Sequence, residues 1–351
     1  MDLVTRLGLK WPLFQAPMAG VSTPEMAAAV SNAGGLGALG LGSAGVEVAR
    51  AMLRQARALT ERPINANVFC HAPAVRDADV EAAWLDALAP TFAGFEAKPP
   101  DALHEIYQSF AVDRAMCEMF LEEKPGVVSL HFGLPDEGWI KELQAAGNLV
   151  FASATSVAEA LACQAAGVDA VVAQGIEAGG HRGVFDPDAE DAALPTLALV
   201  RLLAEAVDVP VIAAGGLMDG TDVARALAAG ATVAQLGTAF LDSAESAADA
   251  GYRAALKDEA LRPPVLTPVL SGRPARCLQN KYVALGEQLG ARLPDYPVAY
   301  DVAKALNAAA KSAGEAGFGA QWAGAGVARV RQGGAAEILQ AIGAELEAAS
   351  V

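Results

Sequence analysis

Cysteine, histidine and positive charge are scarce in this 351-residue sequence, and each shortage excludes something. The four cysteines, Cys70, Cys117, Cys163 and Cys277, lie far apart and form no C-x-x-C pair. That disfavours a disulfide scaffold and a zinc site, so no metal is expected, and it fits a reducing cytoplasm. Lysine and arginine number 25 against 41 acidic residues, a net charge of −16. Non-specific nucleic-acid binders need a basic surface, so nucleic acid is not an expected partner. No apolar run approaches the roughly 20 unbroken residues of a membrane span, despite a mean hydropathy of +0.30. The opening Met1-Asp-Leu-Val-Thr-Arg carries no basic stretch leading into an apolar one, so no secretory signal is expected. Charged residues are only 19% and hydrophobic ones 53%, which excludes a disordered chain and supplies a large core.

What is present is a repeated unit: a short apolar run, a glycine or polar turn, then an Ala-rich amphipathic segment. Such alternation predicts a parallel sheet covered by helices. Eight strands are expected, at Leu13–Pro17, Leu36–Gly40, Pro63–Phe69, Val127–Phe132, Leu149–Ala152, Ala170–Gln174, Val209–Ala214 and Thr232–Leu236. Helices over Thr23–Ala33, Thr155–Ala166 and Asp219–Ala229 start on capping residues and stop at glycine. Eight βα units favour a closed (β/α)8 barrel, and the first strand is not followed by the G-x-G-x-x-G of an open dinucleotide-binding sheet. Residues 1–241 are expected to form the barrel, with a helical insertion at 72–125. Residues 242–322 are expected to form a helical cap over its mouth, and 323–351 a closing segment with a helix over Ala335–Ala349.

Candidate functional residues sit where the strands end, because a barrel's active site forms at that face. Strand seven runs into Gly215-Gly216 and strand eight into Gly237-Thr238. Glycine amides and a hydroxyl after these two strands suit a phosphate group. Strand six runs from Gln174 into Glu177-Ala-Gly179-Gly180-His181-Arg-Gly183. Gly179 and Gly180 let the backbone pass close to a flat ring, Gln174 can bond its edge, and His181 can exchange a proton near neutrality. His71 and His131 follow strands three and four; for both, packing explains the residue as well as chemistry does. His104 lies in the insertion, where a solvated histidine is expected.

Read together, Gln15-Ala-Pro-Met18-Ala-Gly, Ala33-Gly-Gly-Leu-Gly-Ala-Leu-Gly, Asn65-Ala-Asn67-Val-Phe, Ser129-Leu-His131-Phe-Gly-Leu-Pro, the Glu177–Gly183 block, Ala214-Gly215-Gly216-Leu and Gln235-Leu-Gly237-Thr238 resemble the nitronate monooxygenases of the 2-nitropropane dioxygenase superfamily, class I type. The resemblance spans nearly the whole chain. It implies an FMN-binding TIM barrel with a helical lid, acting on a small anionic nitronate with O2; a monomer or homodimer is expected. The cofactor contacts are expected from Ala16, Pro17, Met18, Asn67, Gln174, Gly179, Gly180, Gly215, Gly216, Gln235, Gly237 and Thr238. His181 would be catalytic, and Tyr107, His131, Tyr252, Tyr296, Tyr300 and Lys304 would meet the substrate. Tyr296, Tyr300 and Lys304 also suit an ordinary helix face at i, i+4, i+8. One departure is visible: Gln321-Trp-Ala-Gly-Ala-Gly stands where relatives often read W-A-G-Q. Alternatives on the same fold are an NAD(P)H-dependent FMN reductase of quinones or enoyl thioesters, and a non-catalytic flavin-binding protein.

Overall fold

The computed structural model describes residues 2–349. Eight parallel strands form one sheet: β1 (Leu13–Gln15), β2 (Gly37–Gly40), β3 (Ile64–Phe69), β4 (Gly126–His131), β5 (Leu149–Ala154), β6 (Ala170–Gln174), β7 (Val211–Ala214) and β8 (Val233–Leu236). They pair in the order β1-β8-β7-β6-β5-β4-β3-β2. A parallel bridge between Phe14 and Leu36 closes the ring, with Gln15 N–H donating to the Leu36 carbonyl at 2.9 Å. The fold is therefore the expected TIM barrel. Strand ends differ from expectation for local reasons. Pro17, Pro63 and Pro210 have no N–H for the ladder, so β1 stops earlier and β3 and β7 start later. Phe132 takes a left-handed φ of 77°, which ends β4 at His131.

Side chains point inward at every second position of a barrel strand. Low in the barrel these are apolar: Val127, Leu149, Phe151, Val172, Ile212 and Val233, with Phe14 stacked on Phe151 at 6.0 Å. The short helix Leu3–Leu7 presses Leu3 and Leu7 into this inner cluster. Two residues further along, the same inward rows become Ser129, Ser153, Gln174 and Gln235, and these line a cavity. The switch from apolar to polar along each row turns a packed core into a binding site at the C-terminal face.

The helices wrap the barrel as their caps dictate. Thr23, Ser156 and Asp219 each accept a backbone N–H at a helix start. Of the segment after β3, the helix Ala78–Gly94 packs through Trp84, Leu88 and Phe92 on Val298, Val302 and Leu306 above the mouth. The helix Arg114–Glu123 instead joins the barrel's outer core through Met116, Met119 and Phe120, as the ordinary crossover between β3 and β4. The segment after β8 is not purely helical. Val265–Thr267 and Ala275–Cys277 form an antiparallel hairpin, and its second strand pairs with Gly180–His181. The last helix, Ala335–Ala349, lies on the helices Pro24–Asn32 and Gly220–Ala228. Among the described residues, no helix is long and apolar enough to cross a membrane.

Gly37 tests the packing of helix on strand. A Cβ there would lie 1.9 Å from the Ala27 carbonyl oxygen, whereas one at Gly94 would meet nothing within 4 Å. Gly37→Ala is expected to lower stability by about 3 kcal/mol and Gly94→Ala to leave it unchanged or raise it slightly, read as urea midpoints.

Candidate active site

The polar ends of the inward rows open into a cavity of about 270 Å³. Residues Ala16–Met18, Asn67, Gln174, Gly179, Gly180, Gly215, Gly216, Gln235, Gly237 and Thr238 line it, together with His131, His181, Tyr107, Tyr252, Tyr300 and Lys304. Tyr296 is not on its wall. The helix carrying Tyr300 and Lys304 starts at Val298, so Tyr296 precedes it and does not share its face. The Tyr296 ring packs instead behind the site, edge-on to His71 at 4.9 Å and to His181 at 5.3 Å. His71 is likewise buried and off the wall.

The loop after β6 is clamped from several sides. Gln174 Nε2 donates to the His181 carbonyl at 2.9 Å, while its Oε1 accepts Gly183 N–H at 2.7 Å. His131 Nε2 lies 3.2 Å from the same carbonyl, and its Nδ1 lies 2.9 Å from Ser153 Oγ. Both nitrogens of His131 are thus engaged by protein, which makes it a support for the loop. Arg182 donates to the Gln174 carbonyl and forms a two-pronged ion pair with Asp191 at 2.7 and 2.9 Å. The His181 imidazole faces Trp322 at 5.1 Å and Phe132 at 5.6 Å, and Nε2 lies 2.9 Å from Ser271 Oγ.

At the other end, Gly215 and Gly216 adopt φ of 129° and 69°. A Cβ on Gly215 would come within 2.6 Å of Thr196 Oγ1, and one on Gly179 within 2.5 Å of Gly324 N. These are places where only a bare backbone fits. Among the described residues, the amides of Gly179, Gly216 and Gly237 donate to no protein acceptor. Gly324 N–H donates to Thr238 Oγ1 at 2.9 Å, which leaves the hydroxyl proton free for a ligand. Unsatisfied amides beside glycines and a hydroxyl fit a phosphate. The position at which the resemblance expects glutamine is Ala325, which is exposed; its amide docks the segment on the Glu177 carbonyl at 3.0 Å. The departure leaves this cradle intact.

Charge in the cavity is one-sided. Among the described residues, Lys304 is the one lysine or arginine on the wall, and no aspartate or glutamate lines it. Its ammonium sits 4.7 Å from the centre of the Tyr107 ring and 5.1 Å from that of Tyr300. Burial lowers the Lys304 pKa, and raises those of Tyr107 and Tyr300, which remain hydroxyl donors. Burial also pulls His181 down to about 3, helped by His131 and Arg273, and His131 down to about 4. Arg273 is itself buried, with its guanidinium 4.3 Å from the centre of the Phe132 ring and no carboxylate paired with it among the described residues. Sequence reasoning missed Ser271, Arg273 and Phe132. Phe132 stands next to His131 in Ser129-Leu-His131-Phe-Gly-Leu-Pro, and no local pattern marks Ser271 or Arg273.

A family model described as "Nitronate monooxygenase" matches residues 2–345. The chain is 56% identical over 346 residues to the nitronate monooxygenase of Paraburkholderia phytofirmans, covering 98% of this chain and 94% of that one. It is 51% identical to that of Pseudomonas aeruginosa, covering 98% and 99%. The chain belongs to the nitronate monooxygenase family. Among solved structures, the nitroalkane oxidase of Streptomyces ansochromogenes superposes with a TM-score of 0.91 at 39% identity, over 99% of both chains. FabK from Thermotoga maritima gives 0.74 at 26% identity, over 99% and 96%. For this member of the nitronate monooxygenase family, as for those two, the barrel mouth is thus set within one shared fold.

The neutral histidines give a pH prediction. Unfolded histidines titrate near 6.5, so between there and about 4 the unfolded chain binds more protons than the folded one. Stability therefore falls as pH falls through this window. The loss for His131 between pH 7 and pH 5 is about 2 kcal/mol. Urea midpoints at the two pH values check it, and His131→Gln is expected to flatten the dependence.

Proposed function

We propose that this protein holds FMN in the barrel mouth and oxidises small anionic nitronates with O2, giving an aldehyde or oxo acid with nitrite or nitrate. The observation that carries the reading is the wall itself: in a chain of net charge −16, the cavity presents, among the described residues, one lysine, tyrosine hydroxyls and no carboxylate. Such a wall attracts an anion and repels none. The family membership and the likeness to a nitroalkane oxidase support the same reading. The four cysteines, all free and buried, suit work in a reducing cytoplasm.

FMN would be held at its phosphate by Gly215, Gly216, Gly237 and Thr238, along its ring by Gly179 and Gly180, and at its edge by Ala16–Met18, Asn67, Gln174 and Gln235. When bound, it supplies the electron acceptor for the nitronate and the electron donor for oxygen. The chain's own part is placement. Lys304, Tyr107 and Tyr300 face the substrate's anionic oxygens, while Tyr252 lines the cavity with its hydroxyl proton donated to the Trp322 carbonyl. His181 lines the same cavity and would meet the reacting carbon, and Trp322, packed on both His181 and Tyr300, would help to exclude bulk water. His131 and Tyr296 support His181 from behind.

An NAD(P)H-dependent reductase on the same barrel is the competing reading, and the likeness to FabK keeps it testable. The protein as purified is expected to be yellow, to release FMN on denaturation, and to consume oxygen with propionate 3-nitronate but not with NADH. A colourless protein that takes up no FMN contradicts the proposal. His181→Asn is expected to lower kcat/KM by about 100-fold. Lys304→Met is expected to raise KM about tenfold for propionate 3-nitronate, and less for ethyl nitronate, which lacks the carboxylate.

A further inference from the structure

Among the described residues, the His181 imidazole has one protein partner for its ring nitrogens, and the chemistry of that partner fixes where its proton sits. Ser271 lies at the tip of the hairpin whose second strand pairs with Gly180–His181, with Ala275 opposite His181. It is fully buried. Its Oγ has three neighbours: His181 Nε2 at 2.9 Å, the Arg273 carbonyl oxygen at 3.1 Å and the Arg273 N–H at 3.4 Å. A hydroxyl has one proton to give. The carbonyl can only accept, so it takes that proton; the amide can only donate, so it meets a lone pair. The lone pair that remains faces Nε2, and that nitrogen must carry hydrogen. Any other assignment sets two oxygen lone pairs against each other at 3.1 Å.

The opposite nitrogen follows from this. Among the described residues, His181 Nδ1 has no protein partner; it is not among the buried unpaired atoms, and it belongs to a residue on the cavity wall. We infer that Ser271 is a positioning residue that holds neutral His181 as its Nε2–H tautomer and turns the bare lone pair of Nδ1 into the cavity. The hairpin makes this rigid. Gly272 turns at φ 86°, and a Cβ there would meet the Pro294 carbonyl oxygen at 2.5 Å. Arg182 N–H donates to the Pro274 carbonyl at 2.8 Å. The hairpin therefore holds both the main chain of His181 and the orientation of its ring. The consequence, which rests on the function proposed above, is a division of roles. Anionic oxygens are met by Lys304, Tyr107 and Tyr300, while Nδ1 meets the ligand as a proton acceptor and not as a donor.

The test is a long-range proton–nitrogen NMR correlation on the FMN-loaded enzyme, labelled with ring-¹⁵N histidine, at pH 7. The His181 signals are identified by their loss in His181→Asn. A pyrrole-type Nε2 with a pyridine-type Nδ1 is expected. The reverse pattern overturns the inference and needs no variant to do so. Ser271→Ala is expected to mix the two tautomer patterns and to lower kcat/KM about tenfold, while Ser271→Thr, which keeps the hydroxyl, retains the wild-type pattern. An unchanged Nε2–H pattern in Ser271→Ala overturns the role of Ser271 whatever the activity. If nitronate turnover is absent altogether, the proposed function fails while the spectra still decide the tautomer.

Discussion

The site depends on one main-chain oxygen. The carbonyl of His181 accepts from Gln174 and from His131, side chains on two strands of the barrel. Those strands are fixed by the ladder and by the packed interior beneath them. The oxygen therefore ties an irregular, glycine-dense loop to the most rigid part of the molecule. Glycine alone would leave that loop free to wander. With Gln174 holding both the His181 carbonyl and the Gly183 amide, the backbone is set before any ligand arrives. Preorganisation of this kind makes dipoles and bases effective, because no reorganisation is left for the reaction.

Electrostatics build on that frame. The molecule is strongly acidic, yet its carboxylates are kept off the cavity wall, and a buried arginine stands behind it. Arg273 pairs with no carboxylate among the described residues; it rests on carbonyls of Val184 and Phe185 and on the Phe132 ring. An unpaired buried cation is costly in a fold. Burial chiefly holds the imidazoles of His131 and His181 neutral, and the nearby positive charge of Arg273 adds to the effect.

Much of this was legible in the sequence, for identifiable reasons. The eight strands could be read because each apolar run is bounded by glycine or a cap. The glycines proposed for the phosphate stood out because they follow both strand seven and strand eight, the pair whose loops meet at a barrel's phosphate end. The Gln174–His181 block declared itself by density of glycine beside a histidine. What could not be read lies in tertiary contacts with no local pattern. Ser271 is one serine in a turn, and nothing near it in sequence points to an imidazole 90 residues away. Tyr296 was set with the substrate by resemblance alone; the helix that carries Tyr300 and Lys304 begins at Val298, so Tyr296 lies neither on that helix face nor on the cavity wall. His131 was open between packing and chemistry, and its two hydrogen bonds give it a supporting place. Helix Arg114–Glu123 looked like part of an insertion because its length hides that it is the ordinary crossover.

The most direct measurement of the central claim is anaerobic mixing of the purified protein with propionate 3-nitronate, followed by its visible absorption. The account predicts that the flavin bleaches with the nitronate, recovers when oxygen is admitted, and does not respond on the same timescale to NADH. A flavin that NADH bleaches and the nitronate leaves untouched would contradict it.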